Sequence, residues 1–189
     1  MTYNLIRTSP AAVEQLRGRP AAVTAFIYKE AYVAPKPGFF DRLLGTGSAA
    51  GGPTIPARGD NDEIDLDKSW HIIHYLLTGE ISRAPEPLGL IGDDLHPLAD
   101  IELGSGKPNV ISADIVKAFT DAVADMSDED FLSRFKPDDM PNDELYLGDL
   151  IERGDGDDIK GYTLDNFHRL RDFVAAAAKD GQSLITYFS

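Results

Sequence analysis

The segment Ile64-Asp-Leu-Asp-Lys-Ser-Trp-His-Ile-Ile-His-Tyr-Leu-Leu-Thr-Gly79 contains the only tryptophan of the chain and two of its four histidines. A helical projection at about 100° per residue places its apolar side chains on one broad face. Gly79 can adopt the left-handed conformation that ends a helix, and Asp65 or Asp67 can accept hydrogen bonds from the free N–H groups at its start. We therefore predict a buried helix from Asp65 through Thr78, near the centre of the fold.

A polar stripe interrupts this otherwise apolar helix, because four polar residues follow one another at spacings of four, three and four positions and share one face. Two aromatic residues adjoin the stripe and can form the walls of a pocket. The candidate ligand-binding site predicted from these residues comprises Asp67, Trp70, His71, His74, Tyr75 and Thr78.

Three roles are open to the stripe. His71 and His74 can reach one metal ion together with Asp67, but the glutamate of a His-Glu-x-x-His arrangement is missing, and we predict no metal site. Asp67 and His71 can form an acid–base pair, but Ser69 and Thr78 do not lie in a nucleophile elbow, and we predict no catalytic residue. In the structural alternative, His74 and Thr78 bond to the backbone of a neighbouring loop while Trp70 anchors the core.

The central segment resembles the Asp-Lys-x-Trp-x-x-x-His-x-x-Leu-Thr-Gly core of the YfbM-like proteins, a bacterial family of unknown function. The matching residues are Leu66-Asp67-Lys68, Trp70, His74 and Leu77-Thr78-Gly79. The resemblance extends over most of the chain, including the opening strand, the Leu145-Tyr146 segment and the last helix and strand. It implies a compact α/β domain over residues 1–189, and it implies no particular activity or ligand.

Composition narrows the class of protein. A chain of 189 residues with 42% hydrophobic and 26% charged residues is typical of one soluble domain. Its formal charge of −14 repels phosphate backbones, so we expect no nucleic-acid partner. The apolar runs are too short to span a membrane and no secretory signal is visible, so we expect a cytoplasmic protein. Zero cysteines exclude disulfides and thiolate chemistry.

The remaining patterns predict a single α/β domain in which helices pack around a small mixed sheet, with an α+β arrangement as the alternative. Residues 34–62 are rich in glycine, proline and aspartate, and we predict a mobile loop there. We expect Thr163 to cap the last helix and Pro87 to Gly92 and Asp100 to Leu103 to form short strands. The other predicted elements are a strand at Tyr3 to Arg7, helices beginning after Ser9, near Pro20, after Ser112 and after Ser127, and a strand from Leu184 to Phe188 beside the first.

An acidic stretch between Asp138 and Asp158 contains nine acidic residues and the single basic residue Arg153. A calcium loop at Asp155 to Asp158 is disfavoured, because the spacing lacks the glycine and the glutamate of that motif. We expect a non-enzymatic binding protein, namely an acidic immunity-like or adaptor-like partner of a basic protein. The alternative is a small-molecule enzyme or ligand-binding domain with a pocket beside Asp67, His71 and His74. No cofactor is predicted, and the oligomeric state stays open.

Overall fold

The computed structural model describes residues 1–31, 55–92 and 96–189, in which four strands form one sheet with helices on both faces. The strands are β1 (Tyr3–Thr8), β2 (Glu63–Asp65), β3 (Asn109–Ile111) and β4 (Ser183–Phe188). The α-helices longer than one turn in these ranges are α1 (Pro10–Leu16), α2 (Pro20–Tyr28), α3 (Trp70–Thr78), α4 (Ala113–Val123), α5 (Asp128–Leu132) and α6 (Gly156–Lys179). The predicted class, a single α/β domain with helices around a small sheet, is confirmed. None of the described helices is long and apolar enough to cross a membrane.

The strand order in the sheet is β2-β1-β4-β3, so the first and last strands of the chain are neighbours at its centre, as predicted. In the β1–β4 pair Asn4 lies opposite Tyr187, and in the β3–β4 pair Val110 lies opposite Ile185. Each of the three described pairings is antiparallel, so the sheet is antiparallel in this part of the chain and not mixed.

Strand β4 is buried at all six positions because helices cover both faces of the sheet. Successive side chains of a strand point to opposite faces. Leu184 and Phe188 therefore join the core beneath α3, α4 and α6, whereas Ile185 and Tyr187 join the core beneath α1 and α2. A strand that is covered on both faces has a mostly apolar sequence without alternation, and this pattern predicted β4.

The central segment begins differently from the prediction. Residues Glu63–Asp65 form strand β2, in which Ile64 lies opposite Leu5 of β1. Asp67 has a φ of 48° and opens a 3₁₀ turn, and its N–H donates to the Asp65 carboxylate at 2.7 Å. The α-helix therefore starts only at Trp70, and the predicted start at Asp65 is wrong because strand pairing with β1 competes with the helix at these residues.

The rest of the central helix follows the prediction. Gly79 has a φ of 79°, and its N–H closes the last turn on the carbonyl of Tyr75 at 2.7 Å. Arg134 donates to the carbonyls of Leu76 and Leu77 at 2.8 and 3.1 Å, which satisfies two acceptors that a helix end leaves free. All members of the predicted apolar face are buried, namely Leu66, Trp70, Ile72, Ile73, Leu76 and Leu77.

Local capping signals gave mixed results. Ser112 caps α4, and Ser127 forms a capping box with Asp130 at the start of α5, both as predicted. Thr163 does not cap the last helix, since α6 begins at Gly156 and encloses Thr163 in its buried face. The glycines in this first part of α6 masked its helical pattern, because glycine is a poor helix former.

The short strands predicted between the central helix and α4 are wrong. Residues Leu88–Leu90 form a 3₁₀ turn, and Leu103 makes only an isolated bridge with Gly106. The strand in this region is Asn109–Ile111, which has too few residues to show a period of two.

Residues 34–54 of the predicted mobile loop lie outside the described residues. In the described part that follows, Arg58 has a side chain only 4% exposed and donates to the carbonyls of Phe26 and Ile27 at 3.1 and 2.7 Å. It also pairs with Glu63, which accepts a hydrogen bond from the Tyr187 hydroxyl at 2.7 Å. Burial, and then Glu63, raise the pKa of Tyr187. Arg58 thus connects the C-terminal end of α2 to the sheet.

Two glycine substitutions should have opposite effects on stability. A Cβ at buried Gly148 would lie 1.9 Å from the carbonyl oxygen of Asn142, whereas a Cβ at exposed Gly161 in α6 would have nothing within 4 Å. We expect Gly148→Ala to lower the free energy of unfolding by about 1–3 kcal/mol through overpacking. Gly161→Ala should raise it by roughly 0.5–1 kcal/mol, because alanine favours a helix interior. Urea denaturation measures both, and equal effects would contradict the packing at Gly148.

Candidate ligand-binding cavity

The turn after α3 brings two backbone carbonyls onto the two histidines of the helix. Because Gly79 reverses the chain, Nε2 of His71 lies 2.7 Å from the carbonyl oxygen of Ile81, and Nε2 of His74 lies 2.5 Å from that of Ser82. A carbonyl only accepts, so both Nε2 atoms donate. The two histidines hold the loop against the helix.

His71 has both ring nitrogens engaged. Its Nδ1 accepts from the backbone N–H of Tyr146 at 3.2 Å, while its Nε2 donates to Ile81. This pairing defines the neutral tautomer with the proton on Nε2. The ring also stacks on Trp70, with 4.7 Å between centroids and 13° between planes. His71 therefore has neither a free lone pair nor a free proton for chemistry.

His74 keeps one ring nitrogen unpaired. The residue is 3% exposed, and its Nδ1 has no hydrogen-bond partner within the described ranges. Burial lowers the pKa of His74, although the bond to the Ser82 carbonyl acts in the opposite direction. A neutral ring that donates through Nε2 carries its lone pair on Nδ1, so this atom is a buried acceptor without a partner in the described ranges.

A cavity of about 290 Å³ lies beside these histidines, between α3, the loop that follows it and the end of β4. Its walls are largely apolar, and Trp70 packs edge-on against Phe188 with 4.9 Å between ring centroids. The Nε1 of Trp70 is buried and, among the described residues, has no acceptor. The lining residues are Trp70, His71, His74, Ile81, Ser82, Arg83, Ile91, Gly92 and Phe188.

Arg83 marks the open end of the cavity. The residue is exposed, as is Ser82, whereas Trp70 and His74 are buried. Arg83 makes no ion pair with any residue of the described ranges, and it also lines a neighbouring depression of about 360 Å³ near His96 and Glu86. The cavity therefore runs from a buried end at α3 to an exposed end at Ser82 and Arg83.

The structure places only half of the predicted site residues at the cavity. Three of the six predicted residues, Trp70, His71 and His74, line the cavity, and the others do not. Asp67 precedes the helix and faces Tyr162, whose pKa is raised to about 12 by burial and by the hydrogen bond and charge of Asp67. The Asp67–His71 pair that the spacing allowed is not formed, because His71 bonds to Ile81 and Tyr146 instead.

Thr78 and Tyr75 contribute to the structure outside the cavity. The Thr78 hydroxyl donates to the carbonyl of His74 at 2.8 Å and accepts from the N–H of Glu80 at 3.1 Å, so it stabilises the end of α3. Tyr75 is half-buried against the core. The bonding of Thr78 to nearby backbone agrees with the structural alternative for that residue.

Sequence reasoning missed the lining residues outside the helix: Ile81 to Arg83, Ile91, Gly92 and Phe188. These come from a loop and from the last strand, and no periodic pattern connects them to α3. Gly79 was the one local signal, since a left-handed glycine returns the chain toward the helix it has just left. Among the described residues, no group of three or more histidine, aspartate or glutamate side chains is placed to hold a metal ion.

These features define an α/β domain with a small, partly apolar cavity on one side of its sheet. The chain belongs to the family described as a domain of unknown function (DUF1877), whose model matches residues 1–187. It is similar to the crystal structure of YfbM from Escherichia coli, a protein of unknown function, with 15% sequence identity, 98% of each chain covered and a TM-score of 0.59. At that identity the likeness shows the fold alone. No curated protein matches the chain.

Substitution of His74 tests its part in holding the loop. We expect His74→Ala to lower the free energy of unfolding by about 1–3 kcal/mol, because it leaves a cavity and removes the donor to the Ser82 carbonyl. His74→Gln keeps an N–H donor and should recover much of that loss. Thermal and urea melts of both variants measure the difference, and an alanine variant as stable as the parent would show that His74 does not hold the loop.

The lowered pKa of His74 also predicts a pH dependence of stability. The unfolded histidine, with a pKa near 6.5, takes up a proton more readily than the buried one. The contribution of His74 is therefore complete above about pH 6.5 and is lost as the pH falls toward its folded value. Between about pH 7.5 and 5.5, the parent should lose up to about 1 kcal/mol more stability than His74→Gln. Urea melts at the two pH values measure this, and parallel losses would contradict it.

Proposed function

We propose that this protein binds a small molecule in the cavity beside α3 and does not act on it chemically. One observation carries the proposal: a largely apolar cavity of about 290 Å³ is lined by the buried Trp70 and His74 and opens at the exposed Ser82 and Arg83. A small molecule that fills the cavity removes these apolar walls from water, which favours binding by about 25 cal/mol for each Å² of apolar surface buried.

Binding is favoured over catalysis by the state of the polar groups. Both nitrogens of His71 are engaged, and the proton of His74 is committed to the Ser82 carbonyl. The hydroxyl in the described lining is that of Ser82, and no hydrogen bond joins it to either histidine. A nucleophile and base within bonding reach, which covalent catalysis requires, are not combined in this lining.

The volume of the cavity limits the ligand. About 290 Å³ lies near the lower end of the range of roughly 300–1,000 Å³ that is usual for small-molecule sites. It corresponds to about ten water molecules at ~30 Å³ each. The proposed ligand is accordingly a small metabolite and not a dinucleotide or a peptide.

The single tryptophan provides a direct test, because its indole N–H gives one resonance in a nitrogen-labelled sample and Trp70 lines the cavity. In a titration with a library of small metabolites, we expect a cavity ligand to move this resonance, because the side chain of Trp70 lines the cavity. Ser82→Phe should abolish the effect, because the ring fills the rim while the carbonyl that holds His74 is kept.

Gln15→Phe is the matched control, since Gln15 is an exposed position on α1 away from the cavity. A library in which no compound moves the indole resonance of the folded parent would overturn the proposal.

A second candidate function is the binding of a basic protein by the acidic surface, defined as the nine acidic residues from Asp138 to Asp158. All nine are exposed. The single basic residue of the stretch, Arg153, pairs with Asp149 at 3.3 Å. Like charges held at one surface attract a basic partner and raise its association rate.

Charge-matched variants test this second candidate. Each variant neutralises three exposed acidic residues, two of them in or beside the first turn of a helix. The surface variant is Glu152→Gln, Asp157→Asn and Asp158→Asn. The control variant is Asp114→Asn, Asp125→Asn and Glu129→Gln.

In pull-downs from native cytosol, the surface variant should lose a partner that the parent releases at high salt, and the control variant should keep it. Failure of the parent to recover any salt-sensitive partner would contradict this candidate. A partner that both variants lose equally would contradict the acidic surface as its binding site.

A further inference from the structure

We infer that His71 is a proton-sensitive switch, which holds the backbone of Tyr146 on α3 while its ring is neutral and releases it when the ring is protonated. The inference goes beyond the proposed functions, since it concerns the protein alone and needs neither a ligand nor a partner. Three features of the structure support it: the two bonds of the His71 ring, the strained turn that contains Tyr146, and the groups that face the ring.

The two ring nitrogens of His71 respond differently to a proton. Nε2 donates to the carbonyl oxygen of Ile81 at 2.7 Å, and it can do so in either charge state. Nδ1 accepts from the backbone N–H of Tyr146 at 3.2 Å, and it can do so only while it carries a lone pair. A protonated ring donates from both nitrogens, so two N–H groups would then point at each other. Protonation therefore breaks the bond to Tyr146 and keeps the bond to Ile81.

The turn that contains Tyr146 is strained, which favours its release. Leu147 has a φ of 68°, a left-handed conformation that is unfavourable for a bulky L-residue. Strain of this kind persists only where the surrounding contacts hold it. Leu145 is buried, and Gly148 lies close against the carbonyl of Asn142, so both sides of the turn are fixed. The release is therefore confined to Tyr146 and Leu147.

The groups on α3 and on the following loop direct the release to the Tyr146 side. Burial lowers the pKa of His74 and a charge on His71 lowers it further, whereas the bond to Ser82 raises it. Glu80 also raises the pKa of His74. Arg83 adds a positive group to the lining that both histidines share. Because burial and the charge on His71 both oppose a second proton, His74 stays neutral and keeps its bond to the Ser82 carbonyl.

The other neighbours of His71 provide no partner for its charge. The Tyr146 hydroxyl accepts from the amino group of Met1 at 3.0 Å, and Trp70, which stacks on His71, is uncharged. Phe188 is the uncharged contribution of β4 to the lining. In the part of the chain that the structure describes, no carboxylate pairs with His71. A proton on Nδ1 therefore removes a hydrogen bond and gains no ion pair in its place.

The switch connects the cavity helix to the acidic surface, because Tyr146 lies within the stretch from Asp138 to Asp158. While His71 is neutral, one hydrogen bond ties this stretch to a residue that lines the cavity. When His71 is protonated, that tie is lost while the loop after α3 stays on the helix. The conformation of the acidic stretch at Tyr146 therefore depends on pH.

Amide hydrogen exchange of Tyr146 measures the release, since histidine side chains change charge between about pH 5 and 8. Between about pH 7.5 and 5.5, we expect the protection of this amide, relative to an unstructured peptide at the same pH, to fall at least about tenfold in the parent. The amide of Phe167, in the buried face of α6, reports the stability of the whole domain and should lose less protection.

Two glutamine variants assign the release to one ring. His71→Gln keeps one acceptor and one donor but does not titrate, so Tyr146 should keep its protection at both pH values. His74→Gln is the matched control on the same helix, because it removes the other titrating ring of the lining. In that variant the loss at Tyr146 should be as large as in the parent.

Equal losses at Tyr146 in the parent and in His71→Gln would overturn the inference, and so would a loss that disappears in His74→Gln. If His71→Gln does not fold, the ring nitrogen resonances of His71 in the labelled parent decide the question. The amide resonance of Tyr146 should then shift with the same midpoint as the protonation of the His71 ring. An amide that does not respond to this titration, or a ring that stays neutral down to about pH 5, would contradict the switch.

Discussion

The contact among Trp70, Phe188 and Tyr3 is the constraint on which the rest of the structure depends. The Tyr3 and Phe188 rings, with centroids 4.8 Å apart, come from strands paired at the centre of the sheet. The Trp70 ring on α3 lies 6.0 Å from the Tyr3 ring and 4.9 Å from the Phe188 ring. Aromatic clusters of this kind bury large areas at fixed geometry. The cluster therefore sets the distance of α3 from the sheet, and the cavity is the space left where the helix, the end of β4 and the following loop do not close completely.

How much of this arrangement the sequence predicts depends on whether a signal is local. The caps at Ser112 and Ser127 and the stop at Gly79 involve residues within a few positions of each other, and all three are present. The start of α3 depended on the partner of Ile64, which is Leu5 and lies far away in the sequence. The helical spacing predicts the structure correctly from Trp70 onward, whereas strand pairing determines the conformation of the residues before Trp70.

The same distinction applies to the candidate site. Trp70, His71 and His74 could be selected from one helix face, because spacing along a helix fixes which side chains are neighbours. Asp67 was selected by the same rule and lies outside the site, since its φ of 48° removes it from the helix. Arg83 and Phe188 could not be selected, because nothing in a single sequence shows which loop and which strand end meet a given helix face. The histidines that drew attention to the helix serve first to hold that loop.

The contacts of Arg58 fix the position of α2 relative to β2. By bonding to the carbonyls of Phe26 and Ile27 and to Glu63, Arg58 joins the point where the chain leaves α2 to the point where it enters β2. The entropy of closing a loop grows only slowly with its length, by about 0.6 kcal/mol for each doubling. Because Arg58 holds the end of α2 against the start of β2, the relative position of these two elements is set by buried hydrogen bonds and an ion pair and not by the length of chain between them. These contacts lie on the face of the sheet beneath α1 and α2, whereas the cavity lies on the other face.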